Sequence, residues 1–430
     1  MSPTVILLLS VCVLLASGIP VAFALALATG IALMATDSYP LFVLMKEAFS
    51  GIDSFPLMAV PFFVLAAELM TGGALTDALL RFVSQFVGHK RGGMGYASVG
   101  SLTFIAGISG SALAEAAGPG AMMVRMMEKS GYDRSYAAAL IACTSVVGPI
   151  IPPSIIMIVY ALQDDRVSVG ALFAAGVIPG LLIAAAMCAV NAYVSRQRGF
   201  RGEGFLPTWP VIVANTWRAL PALALPLVIL GGMRLGLFTP TEASVVAVFY
   251  ALFCGRYIYG TLAWSAVPKI LTHSALVTAS VLIIIGFSAA FTWVLTIEGI
   301  PQAAAQWISS LGLTPVMFLI VLNVVLLLVG IFIEPLPAVM VLVPVIAPVS
   351  AQLGIDPVHL AMIVIYNLTL GMITPPVGGL LFVTCNVAKV SLSDLTKELR
   401  PFLLAHGAVL VVLTAWPALS TWLPSMSGFR

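Results

Sequence analysis

The sequence predicts an all-α, polytopic membrane protein, and three observations carry that prediction. Hydrophobic residues make up 61% of the 430 and charged residues only 8%, where a soluble domain has roughly a quarter charged. The apolar residues gather in a dozen runs, most of them near or above the roughly 20 residues that cross a bilayer as a helix. Lys and Arg collect in short loops between the runs, the pattern that sets orientation in a membrane. The same composition excludes other classes. A net charge of +2 with no long basic run leaves no footprint for nucleic acid. No GxxxxGK[ST], HExxH or GxGxxG pattern occurs, so no nucleotide motor, zincin or dinucleotide site is expected. Cys12, Cys143, Cys188, Cys254 and Cys385 lie apart with no CxxC and read as small buried hydrophobes. His89, His273, His359 and His406 are equally scattered. With no His beside the Ser-rich segment at 109–111, the chain is expected not to be an enzyme.

Taken in order, the runs predict helices at 3–17, 20–36, 55–80, 97–122, 136–161, 168–194, 211–233, 241–255, 274–297, 314–350, 358–385 and 402–423. The first follows Met1-Ser-Pro-Thr without a basic n-region, and the first Lys is Lys46, so it reads as a retained helix rather than a signal peptide. Two runs read as re-entrant hairpins. Gly107, Ser109, Gly110 and Ser111 interrupt 97–122, and Glu334-Pro335-Leu336-Pro337 interrupts 314–350. Gly and Pro at such a tip free backbone groups, which membrane depth tolerates only beside a protein-lined cavity. The loops 81–91, 125–134, 196–218, 256–269 and 389–400 hold 15 of the 19 Lys and Arg. All five can face the cytoplasm only if the first hairpin enters and returns on that side and the second on the other. Both termini are then outside, with Asp37, Glu47, Asp53, Asp164, Asp165 and Asp356 in the outer loops. This gives about ten to eleven transmembrane helices plus two hairpins.

An internal repeat supports the threading. GYDRSYAAALIACTSVVGPIIPP at 131–153 aligns without a gap with GIDPVHLAMIVIYNLTLGMITPP at 354–376, with seven identities in 23. The shared residues include the Gly148/Gly371 and Pro152-Pro153/Pro375-Pro376 breaks. Run in opposite directions, the copies form an inverted-topology repeat, the signature of many secondary transporters. The expected division is 1–210 and 211–430, with a scaffold at roughly 1–92 and 210–300 and a mobile part at roughly 97–194 and 314–424.

Chemistry is expected at the breaks. A Pro inside a helix removes a hydrogen bond and clashes with the preceding turn, so 148–153 and 371–376 should turn carbonyls out of the helix. Such carbonyls suit a hard cation such as Na⁺. Ser109-Gly110-Ser111 should meet the first break and Glu334-Pro335-Leu336 the second, adding hydroxyls and a carboxylate. A side chain on Gly148 or Gly371 is expected to crowd carbonyls turned toward the ion. Of the carboxylates in apolar surroundings, Glu334 and Glu115 are the functional candidates, because a charge at membrane depth normally faces a cavity or partner. Glu242, behind Thr239-Pro240-Thr241, reads as a helix-start residue, and Glu68 as structural. Gly110, Glu115, Thr144, Ser145, Asn367 and Arg125 are candidates for substrate contact or gating.

At these residues the chain resembles the large membrane subunit of the tripartite ATP-independent periplasmic (TRAP) transporters. The matching stretches include GIPVAFAL (18–25), GIDSFPLMAVPFFVLAAELM (51–70), GISGSALAEAAG (107–118), GPIIPPSI (148–155), FTPTEASVVAV (238–248) and GIDPVHLAMIVIYNLTLGMITPPVGGLLFV (354–383). The resemblance implies an elevator-type, Na⁺-coupled importer of an organic acid, such as a dicarboxylate or sialic acid, in a bacterial inner membrane. It implies two partners besides the bilayer: a small four-helix membrane subunit, expected as a separate chain, and a periplasmic substrate-binding protein. Carried over by motif, the Na⁺ ligands would fall on Ser109, Ser111, Gly148, Ile151 and Pro153, and on Glu334, Gly371 and Thr374. Glu115 and Glu334 stand where the family often has Asp, and Pro119 is an addition. The alternative is a stand-alone Na⁺/dicarboxylate symporter of related architecture.

Overall fold

The computed structural model describes residues 3–36, 39–70, 73–202 and 207–429; Asp37 lies outside the described residues. Every regular element among them is helical. The first half comprises α1 (Pro3–Ala16), α2 (Val21–Thr36), α3 (Phe42–Ile52), α4 (Ala59–Met70), α5 (Gly73–Val87), α6 (Gly93–Ser109), α7 (Ala112–Glu115), α8 (Ala121–Lys129), α9 (Arg134–Ser145), α10 (Ile155–Gln163) and α11 (Val169–Arg198). The second comprises α12 (Trp209–Arg234), α13 (Pro240–Phe253), α14 (Val267–Ile297), α15 (Ile300–Ser310), α16 (Pro315–Phe332), α17 (Pro335–Gln352), α18 (Pro357–Gly371), α19 (Gly379–Ala388), α20 (Leu392–Ala415) and α21 (Ala418–Met426). Seven helices are long and apolar enough to cross a bilayer by themselves, or eight if the bent pair Phe42–Ile52 and Phe55–Met70 counts as one span. Among the shorter apolar helices are Thr4–Ala16 and Val21–Ala35, and the broken segment that gives Pro357–Gly371 and Gly379–Ala388.

The differences from the sequence expectation have local causes. The run 55–80 is not one helix: a single 3₁₀ turn at Phe55–Met58 leads into α4, and α5 begins anew at Gly73. The helices α3 and α15 were not expected from the runs. Both are 11 residues long, amphipathic and flanked by loops, so neither shows the uniform apolarity of a span. The segment 402–423 lies in two helices, with Trp416 and Pro417 between α20 and α21. In the first hairpin the helical arm runs unbroken through Gly107 and Ser109 and stops at Gly110–Ser111. Its second arm carries Pro119 inside a π-type turn at Ala116–Gly120, which widens the helix where the ring removes a donor.

The repeated stretches fold alike. Gly131 and Gly354 both have positive φ, +86° and +68°. Asp133 caps α9 through Ser135 and Tyr136, and Asp356 caps α18 through Val358 and His359. Both helices unwind at the Gly-x-x-x-Pro-Pro segment and restart at α10 and α19. Every residue from Tyr136 to Ser145 and from Val358 to Gly371 is buried. An all-round apolar helix belongs in a core, and these two form its centre, α9 packed on α20 and α18 on α16. A loop contact joins the halves: Arg166 pairs with Asp164 at 2.7 Å and reaches Ser350 Oγ on α17 at 3.4 Å. The hydrogen bond to Asp164 holds the Arg166 guanidinium above its ordinary range.

Candidate functional site

The first site is built where the tip of α6–α7 meets the unwound segment after α9. Gly110 ends α6 with φ +60°, a left-handed conformation that favours glycine. A side chain there would also strike the Pro153 carbonyl oxygen. Ser111 caps α7, accepting from the Ala114 amide. That turn brings Glu115 back under the tip, where Ser109 Oγ donates to its Oε1 at 2.7 Å. Glu115 is fully buried, and its other oxygen, Oε2, has no hydrogen-bond partner among the described residues. A buried carboxylate oxygen without a donor carries the full desolvation cost of the group, so this one is poised for a donor or a cation. Gly148 faces it from the break: a Cβ on Gly148 would stand 2.6 Å from Glu115 Oε1 and 3.0 Å from the Ser111 carbonyl carbon. Ser109, Gly110, Ser111, Glu115, Gly148 and Pro153 therefore come together. The crowding expected at Gly148 falls on the Glu115 carboxylate. Ser154 Oγ satisfies the Pro149 carbonyl at 2.6 Å, so not every carbonyl of the break is free.

The second site lies between the α16–α17 tip and the unwound segment 372–378. Gly371 packs against the backbone of Gly330 on α16, and the Gly378 amide donates to the Ile331 carbonyl at 3.2 Å. These contacts clamp the tip to the break. Glu334 begins α17 and lines a cavity of about 580 Å³, with Pro337, Met372 and Val377 on its side and Val21 and Ser280 opposite. Glu334 is the only ionisable residue in that lining among the described residues. One turn before the break, Asn367 Nδ2 donates to Asn323 Oδ1 at 2.7 Å and to the Asn323 carbonyl at 2.9 Å. Asn367 is fully buried and its Oδ1 lacks a partner among the described residues.

Other candidate residues are placed differently. Thr144 and Ser145 donate back to the Leu140 and Ile141 carbonyls within α9, and Thr374 Oγ1 donates to the Leu370 carbonyl at 2.9 Å. Their oxygens keep lone pairs, but their protons are used. Ile151 sets its side chain against Gly180 of α11. Arg125 is exposed on α8. Glu242 closes a reciprocal capping box with Thr239, the helix-start role its position indicates, and Glu68 stands 3.5 Å from His273 Nε2. Two partners carry no motif. Asn323 is the lone polar residue of α16 and the one possible signal; Gly330, in the same apolar run, has none.

A third buried arrangement joins the two broken helices. His406 on α20 places Nε2 3.1 Å from the Cys143 carbonyl and Nδ1 2.9 Å from Tyr366 Oη. The carbonyl can only accept, which puts the ring proton on Nε2. Cys143 and Tyr366 hold equivalent positions at the repeat offset.

Two helix breaks inside a buried all-helical core, each facing a helical tip, are the arrangement of a membrane transporter. The fold is similar to that of the solved structure of the transporter YdaH from Alcanivorax borkumensis, with a TM-score of 0.62 over 88% of each chain at 16% identity. The sequence profile of the tripartite ATP-independent periplasmic transporter family, DctM component, matches residues 8–419, and the chain belongs to that family. It is similar to the C4-dicarboxylate TRAP transporter large permease DctM of Pseudomonas aeruginosa, 39% identical over 89% of each chain. It is also similar to the sialic acid TRAP transporter large permease SiaM of Vibrio cholerae, 34% identical over 96% of each.

Proposed function

We propose that this chain is the Na⁺-coupled, large membrane subunit of an importer that takes an organic acid from a periplasmic binding protein. The single observation that carries the coupling is that each helix break has near it a fully buried side-chain oxygen with no hydrogen-bond partner among the described residues, Glu115 Oε2 at the first and Asn367 Oδ1 at the second. Side-chain oxygens of this kind are donors that suit a hard cation. Ser109, Ser111, Gly148, Ile151 and Pro153 surround the first ion in this proposal, with Glu115 as its charged neighbour. Glu334, Gly371 and Thr374 surround the second, with Asn367 one turn away. The cavity beside Glu334 supports a coupled order of binding. Its lining offers a negative charge and no Lys, Arg or His, so a carboxylate enters favourably only after a cation. Two unit charges about 4 Å apart interact by roughly 4 kcal/mol at the effective dielectric of a protein surface, enough to decide that order. The substrate class rests on the relatives, whose named cargoes, a C4-dicarboxylate and sialic acid, are carboxylates.

The cavity also separates α2 and α14 from the α16–α17 tip and the second break. In this proposal it lies on the boundary between a scaffold (roughly 1–92 and 210–300) and a mobile part (roughly 97–194 and 314–424), where an elevator would slide. In this proposal the subunit sits in the bacterial inner membrane with both termini periplasmic, beside a small four-helix subunit. Each Na⁺ entering down about 100 mV contributes roughly 2.3 kcal/mol. The test is uptake into proteoliposomes. Chain alone should give none, while chain, small subunit and substrate-loaded binding protein should give uptake that collapses when choline replaces Na⁺. Uptake that persists without Na⁺ refutes the coupling, and uptake of free substrate by the lone chain favours the stand-alone symporter.

A further inference from the structure

His406 is fully buried on α20, a helix that packs on both α9 and α18. On the α9 side its ring holds a carbonyl that the first break sets free. In an unbroken helix the Cys143 carbonyl would accept from the amide four residues on, that of Val147. That amide turns instead to the Thr144 carbonyl at 3.0 Å, and His406 Nε2 donates to Cys143 at 3.1 Å. Leu370, the counterpart of Val147 in the second repeat, still lies inside α18. The first helix thus unwinds earlier than the second, and His406 supplies the donor that its early end requires.

On the α18 side the fastening is a side chain. Tyr366 Oη lies 2.9 Å from His406 Nδ1 and 3.0 Å from the His406 carbonyl oxygen. With the ring proton on Nε2 both are acceptors, so the one hydroxyl proton stays on His406 either way. Cys143 and Tyr366 are fully buried as well, so no solvent competes for these bonds. They are equivalent positions, each five residues before the glycine of its break. The imidazole therefore bridges the same point of the two repeats. A close-packed interior transmits displacement rather than absorbing it. A shift in the last turn of α9 carries the ring with it, and the ring pulls on Tyr366.

We propose that His406 is a positioning residue that couples the two helix breaks, so that an ion at one break raises the affinity of the other. The inference rests on the Na⁺ reading of the two sites and adds that they fill cooperatively. An ion that orders the first break fixes the Cys143 carbonyl, and with it the ring and Tyr366. The second break then orders at a smaller entropic cost. Linkage between binding sites is reciprocal, so the assistance runs in both directions.

The test is initial uptake rate against Na⁺ concentration, in proteoliposomes holding the full chain, its small subunit and substrate-loaded binding protein. The parent should give a Hill coefficient above 1, bounded at about 2 by the two sites. Tyr366→Phe keeps the aromatic ring and cuts the α18 side of the link, whereas His406→Leu cuts both sides. Each variant should keep uptake dependent on Na⁺ while the coefficient falls to about 1. The double variant should show no further fall, because both changes break one link. Where His406→Leu is not monodisperse in detergent, Tyr366→Phe decides alone. His359→Gln is the control. His359 is also buried on α18, but its ring meets Ser420 and Thr414, of α21 and α20. That variant should lower the unfolding temperature and keep the parental coefficient. A parental coefficient in Tyr366→Phe and His406→Leu overturns the proposal, and so does a coefficient of 1 in the parent; the Na⁺ coupling stands in both cases. An equal fall in His359→Gln overturns it too, since general loosening would then be the cause. Uptake by the parent that ignores Na⁺ removes the Na⁺ reading and this inference with it.

Discussion

Glu115 and Gly148 show how much depends on single atoms at the first break. Glu115 keeps one oxygen on Ser109 and leaves the other unpaired in full burial. Glu115→Gln retains the shape and one acceptor but removes the charge. An isolated buried carboxylate is far costlier in its ionised form than an amide of the same shape, so the exchange should not destabilise the fold. Under the proposed Na⁺ coupling, the variant should keep or raise its unfolding temperature in choline and show no further rise when Na⁺ is added, whereas the parent should. Half-saturating Na⁺ for uptake should rise at least about tenfold, equivalent to about 1.4 kcal/mol. An unchanged Na⁺ dependence would remove Glu115 from the site. Gly148→Ala places a methyl 2.6 Å from the same carboxylate. That neighbour is a side chain and can swing away, so the protein should stay monodisperse while Na⁺-driven uptake falls by at least tenfold.

At the scale of elements, the same substitution in the other repeat should behave differently. Gly371 lies against the Gly330 backbone, and two helices cannot yield as one carboxylate can. Overpacking of this kind costs about 1–3 kcal/mol or more. Gly371→Ala should lower the unfolding midpoint as well as uptake, and a variant with parental stability would mean that α16 and α18 separate easily. The broken helices are also tied through α20. His406→Leu leaves the buried Cys143 carbonyl without its donor, a loss of about 1–3 kcal/mol, while Tyr366 Oη can still donate to the residue 406 carbonyl, 3.0 Å away. Denaturant midpoints for His406→Leu and His406→Gln measure this, with Gln expected to recover part of the loss.

Across the whole molecule, the open question of orientation reduces to two positions. If the basic loops share one face, a cysteine at Gln163, after α10, labels from outside, and one at Gln197, at the end of α11, labels only from the cytoplasm. The native cysteines must first be replaced. Cys143 and Cys254 are buried, but Cys12 is exposed. Labelling of 81–91 and 125–134 from opposite faces would break the hairpin arrangement and the inverted repeat with it.

The sequence by itself determined the all-helical membrane class, both break positions, the two interrupted tips, the helix start at Glu242, and the family. Each of these is written within a few neighbouring residues: an apolar run, a Gly-x-x-x-Pro-Pro, a Thr-x-x-Glu. What only the tertiary structure decided is who faces whom. The helices α9 and α18 are apolar on every side, so no periodicity marks which face meets a partner. The contacts of Glu115 with Gly148, Gly371 with Gly330, Asn367 with Asn323 and His406 with both repeats thus left no local trace. The amphipathic α3 and α15 fell below the length and apolarity that mark a span. Conversely, Thr144, Ser145 and Thr374 lie at or next to a break, yet their hydroxyl protons turn back to their own helices. A polar residue's position is set by the chain, but the direction of its proton is set by packing.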